Sequence, residues 1–326
     1  MLATKEVSLK YESSFETAEV LGNLARYSKC VTIVTTYNHG AFLKECIDSI
    51  LEQDYEENHV VVHDDASQDS TKEYLLDLYG KHKDKVSIVL QSTNQFSQGV
   101  NITSKLILNT NSQYVAVCNG DDFWTEKFKL KKQLELLDKD LNASLIFSNL
   151  HVVGEKSQQM ITLNWYEHNL NKEKYYFDDL IQNNYIPSGS VVYRRKNLRE
   201  EFLFSMNNLK IGDWALNALA LEFSYGLLLN EKLFTYRIHE KNTFENQNLD
   251  PNVRELMVNS FFLYVATHLK GNSQALYQKE LESRLLGRST QENNKLTQEN
   301  NSILNSKSWR ITRPVRFVVN SFRKNA

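Results

Sequence analysis

The strongest constraint on how this chain can fold is an alternation between residues 31 and 118. Short apolar, β-branched runs recur there: "VTIVTTY" (31–37), "HVVVHDD" (59–65), "VSIVLQ" (86–91) and "YVAVC" (114–118). Each reads as a strand buried on both faces. Between them lie stretches with helical spacing. In "AFLKECIDSILEQ" (41–53), Phe42, Cys46 and Ile50 repeat every fourth residue, as do Leu43, Ile47 and Leu51. Residues 70–81 gather Tyr74, Leu75, Leu78 and Tyr79 on one side, and a further helix is expected from Gly99 to Asn109. Strands alternating with helices imply an α/β fold, a mostly parallel central sheet flanked by helices.

Ligands of open parallel sheets collect beyond the C-terminal ends of the strands. Three polar clusters fall at such ends: "TTYN" (35–38), "DDASQD" (64–69) and "NGDD" (119–122). Past Leu145 the alternation weakens. "SLIFSNLHVV" and "SVVYRR" read as strands, 213–223 as a helix, 225–239 as two short strands and 253–269 as an amphipathic helix.

"DDASQD" is either an N-cap and turn, which Asp and Ser both favour, or a polar floor for a ring carrying N–H donors, such as a uracil or guanine edge. "NGDDFW" is either a solvated loop or a site for Mn²⁺ or Mg²⁺. Adjacent carboxylates repel each other, and a hard cation offsets that repulsion. Gly120 would let the backbone approach a ligand, with Phe123 and Trp124 walling the site. Asp213 in "IGDWAL" is a lone carboxylate that fits an N-cap, and His239 in "YRIHEKN" is a lone histidine at a strand end with a structural role as the plain alternative.

Composition removes several classes. A net charge of −2 over 326 residues argues against a protein devoted to nucleic acid. Cys30, Cys46 and Cys118 show no CxxC spacing, which points to a reducing compartment and against structural zinc. "MLATKEVSLKYESS" has no signal-peptide core, and no apolar run approaches the roughly 18 to 20 residues needed to span a bilayer. The expectation is a cytoplasmic protein.

Taken in order, "VTIVTTYN", "VVVHDDASQDST", "VAVCNGDDFW", "IGDW" and "YRIHEKN" resemble the family-2 glycosyltransferases with a GT-A fold, over roughly residues 30–245. "NGDDFW" followed by "KLKKQLELL" is similar to bacterial surface-polysaccharide members. The resemblance implies a nucleoside-diphosphate sugar donor, an Mn²⁺ or Mg²⁺ cofactor, a glycan or polyprenyl-linked acceptor, and inversion at the anomeric carbon. It implies nucleotide contacts at Thr35 and Tyr37, a base-reading carboxylate at Asp65, and a loop shaped by Asp64 and Asp69. Asp121 and Asp122 would serve metal and ribose-diphosphate, with Asp122 as the more direct ligand. Asp213 would be the general base and His239 a further metal or diphosphate ligand. Two departures stand out. Thr35 replaces a frequent proline, and "NQFSQGVNITSKL" lacks the arginine of many relatives, leaving Lys105 as a substitute phosphate contact. The "NTFENQN" region would supply a lid.

Other classes fit less well. A non-catalytic nucleotide-sugar-binding scaffold would not need Asp213. A sugar-phosphate nucleotidyltransferase would carry a Gly-rich, Arg-containing loop where "TTYNHGAF" stands, and a Rossmann dehydrogenase would show GxGxxG.

The expected domain plan is a leader (1–29), the GT-A domain (30–245), a C-terminal helical extension (246–305) and a basic tail (306–326). Within the extension, TQENN recurs at 290–294 and 297–301, placing Leu296 and Ile303 seven residues apart. That reads either as a weak coiled coil, with self-association through 281–304, or as a solvated polar linker. The tail holds Lys307, Arg310, Arg313, Arg316, Arg323 and Lys324 and no acid, with Val315, Val318, Val319 and Phe322 on one helical face. "SWRITRPVR" resembles an element common beside bacterial glycosyltransferase domains. The tail reads either as a solvated end or as a helix on anionic lipid at the inner face of the cell membrane.

Overall fold

A computed structural model describes residues 18–155, 172–181, 183–209, 211–240, 250–270, 274–286 and 298. The basic tail, the "NTFENQN" segment and all of the TQENN repeat except Gln298 lie outside the described residues. The chain divides into two compact units after Tyr277, and every element named below belongs to the first.

The strands are β1 (Glu19–Leu21), β2 (Tyr27–Thr36), β3 (Asn58–Asp64), β4 (Val86–Leu90), β5 (Asn111–Asn119), β6 (Phe123–Trp124), β7 (Ala143–Gly154), β8 (Lys174–Tyr176), β9 (Val192–Arg194) and β10 (Tyr225–Ile238). The helices are α1 (Leu43–Leu51), α2 (Thr71–His82), α3 (Ile102–Asn109), α4 (Lys129–Lys139), α5 (Glu200–Ser205), α6 (Gly212–Leu221) and α7 (Pro251–His268). The strands form one sheet in the order β1-β4-β3-β2-β5-β9-β7-β10-β6, with β8 paired to β10.

β4, β3, β2 and β5 are mutually parallel. The chain winds outward from β2 through β3 to β4, then returns to lay β5 on the other side of β2. This reversal makes the ends of β2 and β5 a topological switch point, the place where open α/β sheets bind ligands. Val31, Ile33 and Val34 of β2, Val60 to Val62 of β3 and Val115 to Val117 of β5 are buried, as their unbroken β-branched pattern requires. α1 covers one face through Leu43, Cys46, Ile47 and Ile50. Each such side chain contributes about 1.5–3 kcal/mol on burial.

The structure departs from expectation in three places. β1 lies inside the segment expected to be a leader, and it pairs antiparallel with β4 through Glu19–Leu90, Val20–Val89 and Leu21–Ile88. Residues 225–238 form one long strand, not two. β10 runs parallel to β7 throughout, and the residues around Lys232 are taken up as register shifts between Leu229 and Phe234. A bulge of this kind absorbs extra residues without ending the pairing, so a polar "NEK" in mid-strand imitates a turn. α3 starts at Ile102, later than expected, because the Asn101 side chain caps it by accepting the Ser104 N–H at 3.0 Å.

α7 begins with Pro251 behind the capping carboxylate of Asp250. Phe261 of α7 stacks on Trp214 of α6 at 4.2 Å between ring centroids. The helix expected to open a separate extension therefore packs against the residue next to Asp213. No described helix is long and apolar enough to cross a membrane.

Candidate active site at the strand ends

Three turns are laced together at the ends of β2, β3 and β5. After β2, Asn38 takes a left-handed conformation with φ of 56°. Its N–H donates to Ser67 Oγ at 2.8 Å, and its Oδ1 accepts the Gln68 N–H at 2.7 Å. The Gly40 N–H donates to Asp69 Oδ2 at 2.9 Å. Asp64 accepts from the Ser67 backbone and hydroxyl. Asp64 and Asp69 thus shape the loops. Asp65 accepts the Gln95 N–H at 2.7 Å on one oxygen and the Phe96 N–H at 3.0 Å on the other. It anchors the loop after β4, and its remaining lone pairs are those a base edge would meet. Burial pushes the Asp64 and Asp65 carboxyls upward in pKa, against these hydrogen bonds. Thr35 Oγ1 lies 3.5 Å from Asn119 Oδ1, and the Tyr37 ring is exposed beside them.

The turn after β5 separates the two adjacent carboxylates. Asp121 Oδ2 lies 3.0 Å from His239 Nε2 and 3.8 Å from His39 Nε2. One ligand atom from each of His39, Asp121 and His239 falls within 4.8 Å of the others. Burial would raise the Asp121 pKa, but the His239 hydrogen bond and the two imidazoles outweigh it and hold the carboxyl below its usual range. Asp122 faces the other way. It is 1% exposed, and its Oδ1 accepts the Arg237 backbone N–H at 2.9 Å. Burial first, and then the Asp121 charge, push its pKa well up. Among the described residues the grouped ligand atoms are those of His39, Asp121 and His239, while Asp122, expected as the more direct cation ligand, accepts the Arg237 N–H and joins the turn to β10.

His239 follows β10, three positions from β5 in the sheet, yet it reaches Asp121. β6 makes this possible. It comes directly after the Asp pair and pairs antiparallel with β10, Thr235 against Phe123 and Phe234 against Trp124. That pairing carries the turn onto β10.

Arg237 closes the arrangement. It is 1% exposed; Nε donates to the Asp121 carbonyl at 2.8 Å and Nη2 to Glu45 Oε2 at 2.6 Å. Its guanidinium lies 4.8 Å from the Phe42 ring centroid and 5.3 Å from that of Phe123. Sequence reasoning missed both Arg237 and His39. Arg237 carried a usable signal, because strand alternation puts it on the same face as His239 two residues on. His39 carried none, since its partners come from β5 and β10.

Trp124 departs from its expected place in the wall. Its Nε1 donates to the Gly189 carbonyl at 2.9 Å, pinning residues 188–190. Lys105 is not drawn to the acidic cluster: its Nζ stands over the Phe204 ring at 4.6 Å, and among the described residues it forms no ion pair. α3 packs on α5 there, which sets Lys105, expected as a phosphate contact, beside Phe204.

Asp213 is not the N-cap of α6, which begins at Gly212 with Ile211 in the cap position. Its Oδ2 accepts from Asn184 Nδ2 at 2.8 Å, and burial pushes its pKa up. Residues 184–190 link it to the β5 turn, because Asn119 Nδ2 donates to Ser188 Oγ at 3.3 Å.

The donor set fits a divalent cation. Two imidazole nitrogens and a carboxylate oxygen are donors that first-row transition ions accept. Gly120 makes the close approach possible, because a Cβ there would stand 2.8 Å from Thr36 Cβ and Oγ1 and 3.1 Å from His39 Nδ1.

Residues 31–202, more than half of the chain, match the domain of glycosyl transferase family 2. The chain belongs to this family. Among its relatives, an uncharacterized protein of Mycobacterium tuberculosis (Rv1520) is 29% identical over 209 residues, 63% of this chain and 57% of that protein. The chain thus spans 57% of the length of that mycobacterial relative. TuaG of Bacillus subtilis, whose name assigns it to teichuronic acid biosynthesis, is 25% identical over 230 residues, 69% of this chain and 85% of its own. Residues 1–349 of TarS from S. aureus, crystallised with UDP-GlcNAc, superpose with a TM-score of 0.61 at 18% identity, covering 79% of this chain and 71% of that one. This likeness shows that the family-2 chain has the GT-A fold expected for it.

Proposed function

We propose that this family-2 glycosyltransferase moves a sugar, with inversion, from a nucleoside-diphosphate sugar to a hydroxyl of a glycan or polyprenyl-linked acceptor in bacterial surface-polysaccharide synthesis. The observation that carries the reading is the His39–Asp121–His239 cluster beyond the strand ends, joined through residues 184–190 to a half-buried carboxylate, Asp213. The UDP-GlcNAc complex of TarS and the name of TuaG support the donor class and the pathway class.

In this reading Thr35, Tyr37 and Asp65 receive the nucleotide at the ends of β2 and β3. His39, Asp121 and His239 would hold Mn²⁺ or Mg²⁺, which would supply positive charge for the departing diphosphate. Asp213 takes the proton of the acceptor hydroxyl. That oxygen forms its bond to C1 from the face opposite the diphosphate, and the C1–O bond to the diphosphate breaks with its electron pair going to the leaving group. A single displacement inverts the anomeric centre. The elevated pKa of Asp213 strengthens it as a base near neutral pH. The basic segment 306–326 would hold the enzyme peripherally on the membrane where a polyprenyl-linked acceptor resides, and residues 281–304 would provide self-association.

The test is a panel of UDP-, GDP- and dTDP-sugars, each with Mn²⁺ or Mg²⁺, scored by nucleoside diphosphate release with and without chelator. Release from one donor that stops with chelator and returns with Mn²⁺ is expected. Tight donor binding with no release from any of them would establish the scaffold reading instead.

A further inference from the structure

α6 buries Trp214, Ala215, Leu216, Ala218, Leu219, Ala220 and Leu221, and one amide, Asn217, in their midst. A buried amide in an apolar helix is costly unless its hydrogen bonds are met. Those of Asn217 lead to Asp213. The Tyr193 hydroxyl donates to Asn217 Oδ1 at 2.6 Å. Asn217 Nδ2 donates to Asn184 Oδ1 at 3.0 Å, and Asn184 Nδ2 donates to Asp213 Oδ2 at 2.8 Å.

The direction of each bond follows from the next. An ionised carboxylate only accepts, so Asn184 must turn its NH₂ toward Asp213. Its oxygen then faces Asn217, whose NH₂ meets it, and the Asn217 oxygen is left for a donor. Tyr193 is that donor. Burial first, and the Asp213 charge second, push the Tyr193 hydroxyl well above its usual pKa, so it keeps its proton. Tyr193 sits on β9 between β5 and β7, paired with Val115 and Leu145. The network is thereby rooted in the centre of the sheet.

The segment bearing Asn184 is held at several points. Asn217 Nδ2 also donates to the Ile186 carbonyl at 3.3 Å, Trp124 Nε1 to Gly189 at 2.9 Å, and Gln133 Nε2 to Ser190 at 2.9 Å. A Cβ on Gly189 would stand 2.0 Å from the Phe234 ring, so only glycine brings the segment this close to β10.

We infer that Asn184, oriented by Asn217 and Tyr193, is a positioning residue for proton acceptance by Asp213. It holds Oδ2 of the carboxylate, at a spacing from the Asp121 cluster set by residues 184–190. This rests on the reading of Asp213 as the base.

The experiment measures nucleoside diphosphate release from the nucleotide sugar that the wild type turns over, with Mn²⁺, across pH. Asn184→Asp keeps the shape and the acceptor face toward Asn217 but loses the donor to Asp213. Asn184→Ala loses both, and Tyr193→Phe loses the root of the chain. For the two Asn184 variants kcat should fall roughly 10- to 100-fold, the worth of a hydrogen bond to a charged group. The acid limb of the kcat profile should move to higher pH, because the lost bond favoured the charged form. The KM for the nucleotide sugar should hold. Tyr193→Phe should give a smaller fall in kcat, again without change in KM. A merely structural role would lower Tm and leave kcat and the acid limb in place. Wild-type kcat and acid limb in both Asn184 variants, with Asp213→Asn inactive, overturns this inference and leaves the base reading standing. An active Asp213→Asn removes the base reading and this inference with it. Should Asn184→Ala not fold, Asn184→Asp and Tyr193→Phe decide by the same readouts.

Discussion

Asp122 accepts the backbone N–H of Arg237 at 2.9 Å while the Arg237 side chain donates to the backbone carbonyl of Asp121 at 2.8 Å. This reciprocal pair locks the turn after β5 to β10. It explains why two carboxylates stand side by side: one is a ligand candidate and the other a strut.

Asp121→Asn should therefore abolish measurable Mn²⁺ binding in titration calorimetry while the urea midpoint moves little. Asp122→Asn retains an oxygen to accept the Arg237 N–H, and both its Mn²⁺ affinity and its stability should stay close to wild type. Asp122→Leu leaves that N–H buried and unmet, and should lose about 1–3 kcal/mol of stability. Normal Mn²⁺ binding by Asp121→Asn would reverse the assignment.

His39 makes the candidate cation site richer in nitrogen than a carboxylate pair would be. His39→Ala should weaken Mn²⁺ binding by roughly tenfold or more, on the scale of disturbing a metal-ligand shell. Mg²⁺ affinity should change less, because magnesium prefers oxygen ligands. Calorimetric titration of both ions into both proteins gives the comparison. Equal losses for the two ions would show that His39 acts on the fold of the turn.

Lys129 on α4 is fully buried, with Nζ 4.1 Å from the Trp124 ring centroid and 2.9 Å from Gln133 Oε1. Burial lowers its pKa from 10.5 to about 7. The folded chain then binds fewer protons than the unfolded one between those values. Stability contributed by this site rises with pH across that window, and its burial cost is full below about pH 7. Lys129→Met should raise stability at neutral and lower pH, because an apolar side chain of similar length removes the cost of burying the charge. It should also flatten the slope between pH 7 and 10.5 in denaturant melts. An unchanged slope would show that Lys129 stays charged in the fold.

A chain ending at Leu304 should lose binding to anionic vesicles and keep nucleoside diphosphate release. Salt should weaken vesicle binding by the intact chain, since surface attraction is screened within about 8 to 10 Å at physiological ionic strength. Equal vesicle binding by the two chains would make the tail a solvated end.

The sequence by itself determined the parallel half of the sheet and the polar residues that stand at its edge. "VTIVTTY", "HVVVHDD", "VSIVLQ" and "YVAVC" are local patterns, and burial on both faces leaves them no other arrangement. Polar residues after those strands must fall at one sheet edge, so Thr35, Tyr37, Asp64, Asp65 and Asp121 were all legible. Tertiary structure decided what each carboxylate does. Asp121 and Asp122 are chemically equal neighbours, and only the pairing of β6 with β10 turns one toward His39 and His239 and the other toward Arg237. Asp213 reads as an N-cap locally; the amides of Asn184 and Asn217 and the Tyr193 hydroxyl, from three separate stretches of chain, draw it into a hydrogen-bonded chain instead. Lys105 reads as a substitute phosphate contact by resemblance, and the approach of α5 lays it over Phe204. These outcomes depend on contacts between residues far apart in the chain, and periodicity and spacing record only near neighbours.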